Sequence, residues 1–148
     1  KSISIPNRVT TIDSNVFCDC KNLTSITIPE HVTKIDFSAF MGCSSLSYIN
    51  IPNSVSTIGI MAFWECSSLT SVIIPKNLKT IGFSAFDECD SLKSVIYVSD
   101  HPVRVDDSIF SKDVLENAKL YVKQSALDEI KETVPWCMFK QIEVIKSN

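Results

Sequence analysis

Six cysteines, two histidines and a scatter of carboxylates are the residues of this 148-residue chain that could do chemistry. Four cysteines, Cys20, Cys43, Cys66 and Cys89, recur at intervals of 23. Stacked units would bring them about one strand spacing (~4.8 Å) apart, which does not by itself exclude a disulfide. Equivalent side chains of stacked units point in parallel, however, and free cysteine packs as a small hydrophobe. Buried free thiols are therefore expected. Cys18 and Cys137 lie outside the column. Cys18-x-Cys20 is a poor metal motif, because a zinc site needs about four ligands and no CxxC pair is present. His31 shares its position with Arg8, Ser54 and Asn77, which marks a variable surface site, and His101 precedes Pro102 in an expected loop. Neither histidine is placed to build a Ser–His–acid triad. With three glycines in all, the chain has no phosphate-cradling loop, and no cofactor is expected. The carboxylates fall at variable positions and no pair is set by the spacing. The one sequon, Asn22-Leu23-Thr24, falls in a polar column with a structural reading. Nothing in these residues points to an enzyme.

The same spacing governs the elements that would carry such residues. Pro6, Pro29, Pro52 and Pro75 keep it, as do Phe17, Phe40, Phe63 and Phe86, and Ile12, Ile35, Ile58 and Ile81. Leu23, Leu46, Leu69 and Leu92 form a further column, with no insertion or deletion. Such self-similarity marks a solenoid. The alternation Ile26/Ile28, repeated at Ile49/Ile51 and Val72/Ile74, has period two and predicts a strand. Proline ends it, lacking the N–H for another rung. Units stacked in one direction make the ladder parallel. In the second half, Val32, Ile35, Ala39, Phe40 and Cys43 are spaced by three or four, which suits a short helical or 3₁₀ turn. Asp13, Asp36, Gly59 and Gly82 tolerate positive φ, so a turn is expected there. Asn22, Ser45, Ser68 and Ser91 are expected to satisfy buried backbone groups where the coil bends back.

These columns resemble the BspA-type leucine-rich repeats, whose units run roughly Leu-x-x-Ile-x-Ile-Pro-x-x-Val-x-x-Ile-Gly-x-x-Ala-Phe-x-x-Cys. The stretch from Leu46 to Cys66 matches nearly throughout, with Ile49, Ile51, Pro52, Val55, Ile58, Gly59, Ala62 and Phe63 in register. The resemblance covers residues 1–98 and implies an α/β fold: a right-handed solenoid with a parallel strand ladder on one face and short helical or 3₁₀ turns opposite. Residues 99–148 look like the C-terminal closing segment of such proteins from gut and oral Bacteroidetes, although Lys123 stands where that segment often has proline. The strand there is expected to run on further.

A solenoid's last coil would leave its apolar stack open to water, so its terminal unit must differ. Ser125 could cap a helix through Leu127, Ile130 and Val134 that ends at Pro135. Trp136 and Phe139 would cover the last coil, and a strand over Ile142–Ile145 would follow. At the amino end, Ile3-Ile5-Pro6 is already a repeat strand. Further repeats or another domain are expected upstream, and an uncovered first coil would invite end-to-end self-association.

Composition narrows the function classes. Apolar residues make up 45% and charged residues 21%, enough for a core. The net charge of −3 argues against nucleic acid. The longest apolar run, Ile58 to Trp64, is too short to insert in a membrane. Partner information must then lie in the variable columns. One outward strand column reads Ser4, Thr27, Asn50, Ile73 and Ile96, with Tyr48 and Lys93 nearby. This strip is a candidate partner surface. Trp64, in the variable column of Cys18, Met41 and Asp87, is a second candidate. The leading reading is a non-catalytic protein- or glycan-interaction module. The family resemblance implies a secreted or cell-surface location and adhesion to host matrix proteins, host glycans or neighbouring microbes. The alternatives are a rigid spacer for an upstream domain and a carbohydrate-active enzyme, the latter requiring two carboxylates converging in a cleft.

Overall fold

Two parallel ladders run along the stack of coils in the computed structural model, which describes residues 2–105 and 107–146. The first begins with β1 (Ser2–Ser4) paired to β3 (Ser25–Thr27), Ile3 opposite Ile26. The third coil continues it through the bridges Thr27↔Asn50 and Tyr48↔Ser71. Beyond that coil come β6 (Ser71–Ile74), β8 (Ser94–Tyr97), β9 (Lys119–Val122) and β10 (Gln141–Val144), all parallel. This is the ladder that the alternating isoleucines predict.

The second ladder carries no period-two signal, because each strand has only two residues. It joins β2 (Thr11–Ile12), β4 (Lys34–Ile35), β5 (Thr57–Ile58) and β7 (Thr80–Ile81), with Ile12, Ile35, Ile58 and Ile81 in one register row. After β4 the backbone makes a series of tight turns. The N–H groups of Ala39, Met41 and Cys43 donate to the carbonyls of Asp36, Ser38 and Phe40 at 3.3, 3.2 and 3.2 Å. These are the i→i+3 bonds of the expected 3₁₀ turns. Left-handed residues keep them from joining into a helix: Ser38 at φ 50° and Gly42 at 69°, with Met61 and Glu65 matching them one coil on.

Positive φ therefore falls two and six positions after the Asp13/Asp36/Gly59/Gly82 column, not in it. That column does other work. The Asp36 carboxylate accepts the Phe37 N–H at 2.8 Å and pairs with Lys34 at 2.9 Å. At Gly82 the constraint is closeness, since a Cβ would fall on the backbone nitrogen of Ile60 and 2.6 Å from the carbonyl carbon of Gly59.

The core fills the space between the ladders and the turns. Phe17, Phe40, Phe63 and Phe86 stack with centroid separations of 5.2, 5.3 and 5.1 Å, and Phe110 extends the stack at 5.8 Å. Cys43, Cys66 and Cys89 are fully buried, and all six cysteines are free thiols. Each buried thiol donates to a phenylalanine carbonyl of the previous coil: Cys43 to Phe17 at 3.1 Å, Cys66 to Phe40 and Cys89 to Phe63 at 3.3 Å. This backbone satisfaction was expected of Asn22, Ser45, Ser68 and Ser91. Asn22 is exposed and the three serines are half-buried, and in the interior the cysteines make these bonds to the phenylalanine carbonyls.

Beyond β8 the coils become irregular. Ser111 caps α1 (Lys112–Asn117), its hydroxyl accepting the Val114 N–H at 3.3 Å. β9 ends at Val122 rather than running past Lys123, which starts a 3₁₀ turn and pairs with Asp100. The expected helix through Val134 is the single turn α2 (Leu127–Ile130). Ser125 does not cap it, since its hydroxyl donates to Asp100 at 2.7 Å, and Val134 is exposed. Trp136 and Phe139 are buried as expected. Trp136 packs edge-on to Tyr97 at 4.7 Å and to Phe110 at 5.9 Å, and its indole N–H donates to the Val103 carbonyl at 2.8 Å.

Candidate interaction surface

The outer face of the first ladder is set by its register. Ile73 on β6 lies opposite Ile96 on β8, and Ile96 lies opposite Tyr121 on β9. Paired strands are about 4.8 Å apart, so the three side chains abut. Ile73, Ile96 and Tyr121 are half-buried, because each is flanked by the next. Asn50 is exposed one coil earlier, and Tyr48 stands out at 52% exposure beside Ser71. Lys93 is exposed just before β8, and its backbone is fixed by bonds to Thr70 and Lys119 of 2.9 Å each.

Two shallow depressions flank the isoleucine pair. Glu30, Asn50, Ile73, Lys76, Val98 and Lys123 line one. Ile96, Tyr121, Glu143, Val144 and Ile145 line the other. Tyr48, Asn50, Ile73 and Ile96 thus share one face and Lys93 borders it. Trp64 does not join them. It is half-buried in the turns, where its carbonyl accepts the Gly42 N–H at 2.8 Å.

The 23-residue spacing does not place Tyr121 on this face, because the register slips to 25 between β8 and β9, Ser94 pairing with Lys119. An apolar ridge also stands on the turns. Phe37, Ile60 and Phe83 are 44, 46 and 49% exposed, and they occupy one repeat position on successive coils. Three apolar residues at a single 23-residue interval were the available signal.

The chemistry-bearing residues stay apart. His31 is exposed, and His101 places its Nδ1 3.0 Å from Glu129 Oε2, tying the loop after β8 to α2. Bonds from the Ser125 hydroxyl and then the Lys123 ammonium lower the pKa of Asp100 in the same loop. Among the described residues no group of three or more His, Cys, Asp or Glu side chains could hold a metal ion. Among them too, no helix is long and apolar enough to cross a membrane.

Short parallel strands, tandem turns and a through-stack phenylalanine column define a leucine-rich-repeat solenoid. The chain belongs to the BspA-type leucine-rich repeat family, whose model matches six copies over residues 1–116. A leucine-rich repeat protein from Bacteroides ovatus is similar at 25% identity over 82% of this chain and 39% of its own, with a TM-score of 0.67. The leucine-rich repeat protein of T. pallidum is similar at 25% identity over 81% of this chain and 57% of its own, with a TM-score of 0.69. The pneumococcal vaccine antigen PcpA shares the fold at 24% identity, over 99% of this chain and 42% of its own, with a TM-score of 0.73. The chain thus spans 39% to 57% of the length of these structures. No curated protein sequence matches it.

Proposed function

We propose that the chain is a non-catalytic protein- or glycan-interaction module of a secreted or cell-surface bacterial protein, and that it adheres through the outer face of the first ladder. Membership of the BspA-type repeat family supports the module reading, and the pneumococcal vaccine antigen with this fold supports a surface location. The observation that carries the assignment of the face is the pair of depressions on either side of Ile73 and Ile96. A rigid sheet with apolar side chains at its centre and polar ones at its rim can desolvate a partner's anchor without reordering itself.

The test is a binding screen of the chain against immobilised extracellular-matrix proteins and a glycan array, beside the Tyr48→Ala/Ile73→Ser variant. Binding that the variant loses supports the reading. Binding that survives in the variant moves the site to another face. An absence of all binding favours a spacer role, in which the repeats hold another domain at a distance.

A further inference from the structure

The charges of the described residues sort by face. In the turns, Lys21, Glu65, Glu88 and Asp90 line one depression, Asp19 pairs with Lys21 at 3.8 Å, and Asp87 sits in the same run of turns as Glu88. On the outer face of the first ladder the balance reverses. Lys76, Lys93, Lys119, Lys123 and Lys146 surround the Ile73–Ile96–Tyr121 strip. The carboxylates of that face are Glu30, Asp100 and Glu143. Two of these are already engaged, Glu143 by Lys119 at 2.7 Å and Asp100 by Lys123 at 3.1 Å. Lys76 and Lys93 are exposed and form no close ion pair among the described residues, and Lys76 acts on Asp100 only through space, helping to lower its pKa. A chain of net charge −3 therefore carries a cationic rim around its half-buried apolar strip.

Resting on the reading of this face as the interaction surface, we infer that its partner is an acidic protein segment with an apolar anchor. The anchor covers Ile73 and Ile96, while carboxylates of the segment meet Lys76 and Lys93. Charge complementarity steers such an encounter and excludes cationic partners, which would be repelled by the rim. A sulfated glycan would satisfy the lysines as well, but it has no apolar group to cover the isoleucines and Tyr121. Leaving that strip wet forfeits the apolar burial that the face offers.

The probes are a labelled synthetic peptide of alternating acidic residues with leucine and phenylalanine anchors, its lysine-for-acid counterpart, its serine-for-anchor counterpart, and heparin. Fluorescence anisotropy with the whole chain reads their affinities at low and near-physiological salt. The acidic anchored peptide is expected to bind about tenfold or more tightly than either counterpart, and to weaken as salt rises. Both Lys76→Glu/Lys93→Glu and Ile73→Ser/Ile96→Ser should reduce its binding, with the circular dichroism spectra unchanged. Equal binding of the acidic and basic peptides overturns the inference. So does heparin binding that outcompetes the peptide and is indifferent to Ile73→Ser/Ile96→Ser, which would assign the face to an anionic glycan. A matrix partner lost by Tyr48→Ala/Ile73→Ser but unaffected by Lys76→Glu/Lys93→Glu overturns the acidic partner and leaves the binding face in place.

Discussion

The Sγ of Cys66 lies 3.3 Å from the Phe40 carbonyl oxygen, which also accepts the N–H of Cys43 at 3.2 Å. One buried carbonyl thus receives a bond from its own coil and another from the next. Phe17 and Phe63 are served in the same way by the next cysteines along the stack. The column needs a residue that is small and apolar yet able to donate, and cysteine is both. Cys66→Ala removes the donor and opens a cavity between stacked coils. It should lower stability by about 1–3 kcal/mol, read from urea unfolding midpoints. An unchanged midpoint would leave the thiol as filler only.

Thiol reactivity should divide the cysteines by depth. Burial pushes the thiols of Cys43 and Cys89 up to about 12 from 9.0, and that of Cys66 further still. The thiolate is the reactive form, so these three should resist alkylation in the native protein. Cys18, Cys20 and Cys137 are only half-buried and should label first. Peptide mapping after a short alkylation pulse checks this.

The same shifts set an alkaline limit. Above pH 9 the unfolded chain gives up thiol protons that the folded chain retains, so it binds fewer protons and stability falls as pH rises. The contribution is intact below 9 and is lost progressively toward 12. Unfolding midpoints should therefore be flat through neutral pH and fall beyond 9, and Cys43→Val should reduce that fall.

Gly82→Ala should destabilise the stack by about 1–3 kcal/mol or more, because the new methyl meets the backbone of Gly59 and Ile60 rather than a movable side chain. Differential scanning calorimetry reads the loss. A neutral effect would mean that neighbouring coils separate more easily than their bonded ladders imply.

Trp136→Ala should cost about 3–5 kcal/mol, since the ring closes over Tyr97 and Phe110 and its N–H satisfies the Val103 carbonyl. Val134→Ala, two residues away and exposed, should stay within about 0.5 kcal/mol. Equal losses would contradict the assignment of Trp136 as the cover of the last regular coil.

The isoleucine alternation and the proline that ends it made the first ladder legible in the sequence, because period two is a direct print of the pleat. The second ladder was hidden, since two residues such as Lys34 and Ile35 cannot display a period. Left-handed backbone at Met61 and Glu65 was unreadable for another reason. Stacking bonds such as Met61 N–H to the Phe83 carbonyl at 2.9 Å hold these residues where their own preferences would not. On the candidate face, Tyr48, Asn50, Ile73 and Ile96 could be placed together by counting in steps of 23. Tyr121 could not, because its register depends on the irregular coil around α1. The charge segregation is likewise not visible in the sequence, since lysines and carboxylates at variable positions look scattered until the coils are stacked.

On the proposed reading the first ladder's outer face, and not the Phe37–Ile60–Phe83 ridge, contacts the partner. Dissociation constants for one captured matrix protein or glycan, measured with the parent chain, Ile73→Ser/Ile96→Ser and Ile60→Ser, decide between the two faces. The strip variant should lose about tenfold or more in affinity and the ridge variant should change by less than about twofold. The reverse pattern would contradict this reading and place the partner on the ridge.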